Sequence, residues 1–237
     1  MKKFDFYNNQ DPRNIPLMTA TEAAHYLNIP IATLRSWIRG YPYETNKGQQ
    51  YFKPVIKLFD NENRLLSFIN VVEAHILNAL TKVYKIRLPK VRIAIEYIKQ
   101  EFNSDHPLAN HSFQTNGIDL FVQEYGKLIN VTKQGQLSIK EVLEAHLKRV
   151  EWDASGTAKR LFLFTRKHDL NESKIVMIDP CISFGRPVLY GTGIPTSVIA
   201  DRFKAGEDLE DLAKDYEREQ SEILEAIRCE LKLEAAA

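Results

Sequence analysis

The stretch "FGRPVLYGTGIPTSVIADRF", residues 184–203, decides how this chain is read. Three glycines, Gly185, Gly191 and Gly193, and two prolines, Pro187 and Pro195, crowd together just before a helix-like run. A phosphate cradle and a structural joint would both look like this. A dinucleotide loop needs Gly-x-Gly-x-x-Gly, and here Thr196 stands at the third glycine position. Pro195 also removes a backbone N–H where an anion would need one. The Gly-Lys-Ser/Thr of a nucleoside-triphosphate loop is missing as well. The joint reading fits better. "KIVMIDP" (174–180) and "RPVLYGT" (186–192) are two β-type runs, and "CISFG" (181–185) turns between them. Gly191 and Gly193 give the backbone freedom where the chain leaves the second strand. Three short helices follow: Thr196–Ala205 stopped by Gly206, Leu209–Tyr216 capped by Asp208, and a third within "SEILEAIRCELKLE" (221–234). The pattern is a β-arm feeding a compact, homeodomain-like three-helix module. An open strand edge on the arm would pair with a partner or a second copy, with Val188, Tyr190 and Ile194 as interface candidates.

Charge separates this end from the other. The whole chain of 237 residues carries only +1. Residues 196–233 hold a net −5, whereas residues 19–58 hold +3 and the run Lys82–Arg92 holds +5. Acidic helices repel DNA, so a nucleic-acid partner is expected at the front and a protein partner at the rear. The two cysteines, Cys181 and Cys229, fit a reducing compartment. "MKKFDFYNNQ" (1–10) lacks the apolar core of a secretory signal, and no apolar run is long enough to span a bilayer. A cytoplasmic protein is expected.

The front carries the clearest local signal, "LMTATEAAHYLNIPIATLRSWIRG" (17–40). Thr19 and Glu22 form a capping box that opens a helix over about Ala20–Tyr26. Leu27-Asn28-Ile29 turns, and Pro30 suits the first turn of a second helix ending at Gly40. Leu34, Trp37 and Ile38 share an apolar stripe that packs on Ala23, Ala24 and Leu27. Thr33, Arg35, Ser36 and Arg39 fall on the opposite face, where hydroxyls and guanidinium groups suit phosphates and base edges. The residues "YLNIP" and Thr33, Leu34, Arg35 and Trp37 resemble the helix-turn-helix of MerR-like regulators. That resemblance implies a wing, which "GYPYETNKGQQYFKPVIKLFD" (40–60) supplies around an Asn46-Lys47-Gly48 turn, with Lys47 as a further DNA-contact candidate.

In the middle, "LLSFINVVEAHILNALTKVY" (65–84) and "RLPKVRIAIEYIKQEF" (87–102) read as buried helices, the second restarting at Pro89. They serve either an intrachain core or a dimer. Glycines at 117, 126 and 135 break "HSFQTNGIDLFVQEYGKLINVTKQGQ" (111–136) into what reads as short strands. Ser138 and Glu141 form a second capping box, and "RVEWDASGTAKRLFLF" (149–164) reads as a hairpin turning at Ser155-Gly156. The expected fold is α+β and mainly helical. Residues 1–58 form a winged helix-turn-helix, 59–170 an α+β middle, and 171–237 the β-arm with its three-helix module.

No catalytic constellation emerges. The six histidines are scattered, with His106 and His111 beside Asp105 as the nearest approach to a metal cluster. No zinc spacing or nucleophile elbow supports an enzyme, and no cofactor is expected. The rear instead is similar to the bacterial module called domain of unknown function 433. Asp179, Pro180, Gly185, Pro187, Val188, Gly191, Thr192, Ile194, Pro195, Ile199, Gly206, Leu212, Ala213 and Tyr216 match its pattern. Gly193 departs from it, standing where relatives carry Arg or Lys. "LSFINVVEAHIL", "LPKVRIAIEYI", "HPLA", "RVEWD" and "RLFLFTR" resemble the central region of VapB-like antitoxins. That resemblance implies a DNA-binding antitoxin, a dimer or higher homo-oligomer. It would silence a PIN-like nuclease toxin and repress its own operon from double-stranded operator DNA. The alternative is an interaction or oligomerisation scaffold whose helix-turn-helix no longer binds DNA.

Overall fold

The computed structural model describes residues 9–46, 48–60, 62–83, 88–129, 133–166 and 172–231. A short strand β1 (Pro16–Met18) leads into helices α1 (Ala20–Tyr26) and α2 (Ile31–Arg39). The hairpin β2 (Tyr41–Thr45) and β3 (Gly48–Phe52) follows. Strand β4 (Leu66–Ser67) returns to pair antiparallel with β1 and opens α3 (Phe68–Val83). Helices α4 (Leu88–Glu101), α5 (Ile118–Ile129) and α6 (Lys133–Leu147) complete the helical middle. Next come β5 (Val150–Trp152), β6 (Ala158–Phe162), β7 (Val176–Ile178) and β8 (Val188–Leu189), a four-stranded antiparallel meander. Helices α7 (Thr196–Lys204), α8 (Leu209–Asp215) and α9 (Gln220–Leu231) close the chain. The fold is mixed α+β and mainly helical.

One hydrophobic core runs from Met18 to Cys229. Helix α3 lies at its centre: Phe68, Val71, Val72, Ala74, Ile76 and Ala79 are all fully buried, so apolar residues surround the helix rather than forming a stripe. The sheet ties the middle to the rear, because β6 pairs with β7 across residues 163–175. Arg149 reinforces this joint. It is buried, and its guanidinium donates to the carbonyl oxygens of Phe162, Leu163 and Glu172. A buried guanidinium needs such acceptors, because stranding its donors away from water is costly.

The middle corrects two sequence expectations. Residues 113–129 are helical, a π-turn over Phe113–Gly117 running into α5, not short strands. Ile118, Phe121, Val122 and Tyr125 are buried at helical spacing, which overrides the glycines. Those glycines sit at close contacts. A Cβ on Gly126 would lie 2.6 Å from the Gln136 side chain, and one on Gly117 would lie 2.7 Å from the Phe113 ring. They are small for packing, not for turning. Ser138 is likewise no cap: it lies inside α6 and its hydroxyl donates back to the Gln134 carbonyl at 3.2 Å. The hairpin at Ser155-Gly156 is as expected, with Gly156 at φ +77°.

Candidate nucleic-acid interface

The capping box at the front is complete. The Glu22 N–H donates to the Thr19 hydroxyl at 3.2 Å, and the Thr19 N–H donates to the Glu22 carboxylate at 2.7 Å. Asn28 makes the turn between α1 and α2 at φ +53°, a conformation asparagine tolerates. Its side-chain amide donates to the Phe164 carbonyl at 3.3 Å, and that of Asn78 donates to the Leu27 carbonyl at 2.9 Å. The turn is therefore bolted to the middle of the molecule. The phenol of Tyr26 in α1 also reaches Glu230 on α9, at 3.5 Å.

Helix α2 has two faces. Leu34, Trp37 and Ile38 are buried against Ala23, Ala24 and Leu27 of the preceding helix and turn. Arg35 and Arg39 are exposed, four residues and so about 6 Å apart along the axis. Thr33 and Ser36 on the same helix are half-buried, and the Ser36 hydroxyl donates to the Thr33 carbonyl at 2.7 Å. The structure thus brings four of the five candidate contacts onto one helix. The fifth, Lys47, lies outside the described residues.

The hairpin is clamped to the end of α2. The Trp37 carbonyl accepts from the Val55 N–H at 2.8 Å and from the Ile56 N–H at 3.1 Å. Tyr41, Tyr43 and Tyr51 leave the hairpin surface rich in exposed aromatic rings. Arg92 of α4 reaches back over the Phe52 ring, 6.0 Å from its centre. Tyr43, Tyr51, Arg92, Ile93 and Tyr97 help line a cleft of about 540 Å³ between hairpin and α4. The sequence marks these aromatic residues as strand formers flanking a turn, and the alternation of Tyr41 and Tyr43 along β2 was the available signal that they form a surface. The basic count also overstated the free charge. Lys57 and Lys99 both pair with Asp105, at 3.2 and 2.6 Å, and hold its carboxyl down to about 2. Most of the basic run Lys82–Arg92 lies outside the described residues or has no described side chain.

Elsewhere the structure disperses the candidates. His106 pairs with Glu73 at 3.1 Å and stacks on Phe59, whereas His111 lies against Trp152. Val188 is fully buried with Phe162 and Met177, so its side chain offers no surface to a partner. Tyr190 is exposed with its ring against Phe162, and Ile194 is half-buried. The arm's edge is not open: the Leu189 N–H donates to the Ile194 carbonyl at 3.2 Å, and the Thr196 N–H donates to the Pro187 carbonyl at 2.9 Å. The chain's own residues 194–196 cover β8.

A turn-linked helix pair with an exposed basic face, a hairpin after it and an acidic set of helices at the rear define a class, and comparison with known families agrees. Residues 16–95 match the family described as "Putative DNA-binding HTH domain", and residues 176–228 match "Protein of unknown function (DUF433)". Over 219 residues the chain is 26% identical to "Putative antitoxin VapB45" of Mycobacterium tuberculosis, spanning 86% of this chain and 89% of that protein. It is 25% identical to the uncharacterised protein Rv2308 of the same organism, over 87% and 86% of the two chains. The crystal structure of Rv2018 from that organism superposes with a TM-score of 0.65 at 21% identity, over 90% of this chain and 98% of that one, and so shares the fold. No helix among the described residues is long and apolar enough to cross a membrane.

Proposed function

We propose that this protein is a DNA-binding antitoxin that silences a PIN-like nuclease toxin and represses its own operon in the cytoplasm. One observation carries the DNA part. Arg35 and Arg39 stand exposed one turn apart on a helix whose other face is buried, inside the segment that matches a DNA-binding helix-turn-helix. Thr33 and Ser36 complete the contact face, and Lys47, between the two hairpin strands in sequence, is a further contact by its likeness to the lysine of a MerR-like wing. A homodimer would place two such faces on a palindromic operator with half-sites whole helical turns apart. The antitoxin part rests on the similarity to the mycobacterial protein and on the acidic rear, where Tyr190 is an exposed docking residue. The protein acts by binding and needs neither cofactor nor catalysis.

The test is titration of the duplex upstream of its own gene at several salt concentrations. Wild type binds with an affinity that falls steeply as salt rises. Arg35→Ala loses about ten-fold, the worth of one good guanidinium contact. Unchanged affinity in Arg35→Ala would remove α2 as the reading helix. The scaffold reading draws on the tyrosine-rich hairpin and on Lys57 being spent on Asp105. Toxin binding without promoter binding would select it.

A further inference from the structure

The end of the reading helix is built in an unusual way. The last carbonyls of any helix lack partners within it and must find others. In α2 the Ser36 carbonyl accepts from the Gly40 N–H, and the Trp37 carbonyl is taken by the backbone after the hairpin. The Arg39 carbonyl is met by a side chain: the phenol of Tyr51, on the hairpin's return strand, donates to it. Tyr51 is 58% exposed, so burial does not hold its ring in place. Gly40 makes the approach possible. It sits at φ +68°, and a Cβ there would lie 2.0 Å from the Phe52 carbonyl oxygen and 3.1 Å from the Tyr51 hydroxyl.

We infer that Tyr51 is a positioning residue for DNA recognition: its hydroxyl latches the hairpin to the backbone of Arg39, so that the reading helix and the hairpin meet the duplex as one rigid surface. This rests on the DNA-binding reading above. The bond fixes the root of the Arg39 side chain and the angle of the hairpin together. A surface held in its binding geometry loses less freedom on association, which favours a sequence that fits it over one that does not. Tyr43 supplies an internal control. Its phenol bonds to the Gln50 side chain at 3.0 Å, within the hairpin, and bonds nothing on α2.

The experiment uses the full chain with Tyr51→Phe and Tyr43→Phe, each removing one hydroxyl and keeping its ring. Two probes are titrated: the duplex upstream of the protein's own gene, and a random-sequence duplex of equal length. Hydrogen exchange of residues 39–41 and 48–52 is measured without DNA. Tyr51→Phe is expected to weaken promoter binding about three- to ten-fold, the worth of one neutral hydrogen bond. Random-duplex binding should stay within about two-fold and the salt slope should not change, because no phosphate contact is lost. Exchange should quicken in both segments, and Tyr43→Phe should leave promoter affinity within about two-fold. Unchanged exchange and unchanged promoter affinity in Tyr51→Phe would overturn the latch while wild-type binding upheld the DNA reading. Equal weakening on both duplexes with a shallower salt slope would make Tyr51 a phosphate contact and overturn the positioning role. A wild type with no salt-sensitive promoter affinity would overturn the DNA reading itself, and the role with it.

Discussion

The two ends of the molecule use arginine in opposite ways. At the front, Arg35 and Arg39 point from α2 into solvent. At the rear, arginines are held by the chain's own carboxylates. Arg202 bonds Glu207 and Asp215, Arg218 bonds Glu222 at 2.8 Å, and Arg228 bonds Glu225 at 2.5 Å. What the rear shows the solvent is the surplus: Asp208, Glu210, Asp211, Glu217 and Glu219 are all exposed. A segment's net charge is therefore not the charge it can offer a partner. The front keeps Arg35 and Arg39 exposed even though Lys57 is spent on Asp105, whereas all three arginines of residues 196–233 are bound to carboxylates, and Lys204 and Lys214 stand exposed among a surplus of acids. Both ends hinge on a glycine-bearing joint, Gly40 in front and Gly191–Gly193 behind, and the joints differ as much as the arginines do.

The largest break is expected at the front joint. Gly40→Ala places a Cβ against the Phe52 carbonyl in a left-handed conformation. Left-handed backbone costs a non-glycine residue about 1 kcal/mol or more, and a clash with backbone adds at least as much. The variant should lose about 2–4 kcal/mol in denaturant unfolding, and its hairpin should separate from α2. Full stability in that variant would show that the hairpin is not clamped.

The rear breaks through a carboxylate instead. Glu225 on α9 is only 1% exposed. Burial pushes its pKa up, but hydrogen bonds from Arg166 and Thr165, and the charge of Arg228, outweigh that and hold it below the usual 4.5. Glu225→Gln keeps the shape and removes the charge. Both arginine partners are more than a third exposed, so solvent screens the pair and the loss should be about 1–2 kcal/mol at neutral pH. A depressed folded pKa gives stability that is complete above the unfolded value and disappears as pH falls through the folded one. The gap between wild type and variant should therefore close as pH drops below about 4.5, the usual glutamate value. Glu230, five residues further on in α9, provides the contrast. Burial pushes its pKa up, against hydrogen bonds from Thr196 and Tyr26. Its ionisation burdens the fold, so Glu230→Gln should cost nothing at neutral pH. Unfolding curves at pH 7 and pH 4 decide both; a gap for Glu225→Gln that widened in acid would refute the account.

How far the sequence could be read follows the same physics. Elements with local punctuation were legible almost to the residue: Thr19 and Glu22 set the start of α1, Gly40 the end of α2, and Gly206 the end of α7. The strands of the meander were legible as short apolar runs set off by turns such as Ser155-Gly156. Illegible features depended on what a residue meets far along the chain. Gly117 and Gly126 looked like breakers because Phe113 and Gln136 could not be placed against them. Val188 looked like an exposed edge because nothing local showed that residues 194–196 fold back over β8. At the candidate site, the face of α2 was legible from helical spacing alone. The Tyr51 bond to the Arg39 carbonyl was not, since it depends on the register of a hairpin that no local pattern fixes.

The smallest effect sharpens the comparison of joints. Gly191 sits at φ +76° with open space around its missing Cβ, so it is glycine for backbone reasons alone. Gly193 is different again. Its backbone is not left-handed, and nothing lies within 4 Å of where a Cβ would stand. Its carbonyl accepts from the Ser183 hydroxyl at 2.8 Å, a bond that any residue type would keep. Neither space nor conformation demands glycine there, in contrast to Gly40, where both do. Gly193→Arg should therefore leave the unfolding midpoint within about 0.5 kcal/mol of wild type, as surface substitutions away from special geometry do. Gly191→Ala should cost about 1 kcal/mol despite being much the smaller change. The reverse order would mean that backbone conformation does not govern the rear joint.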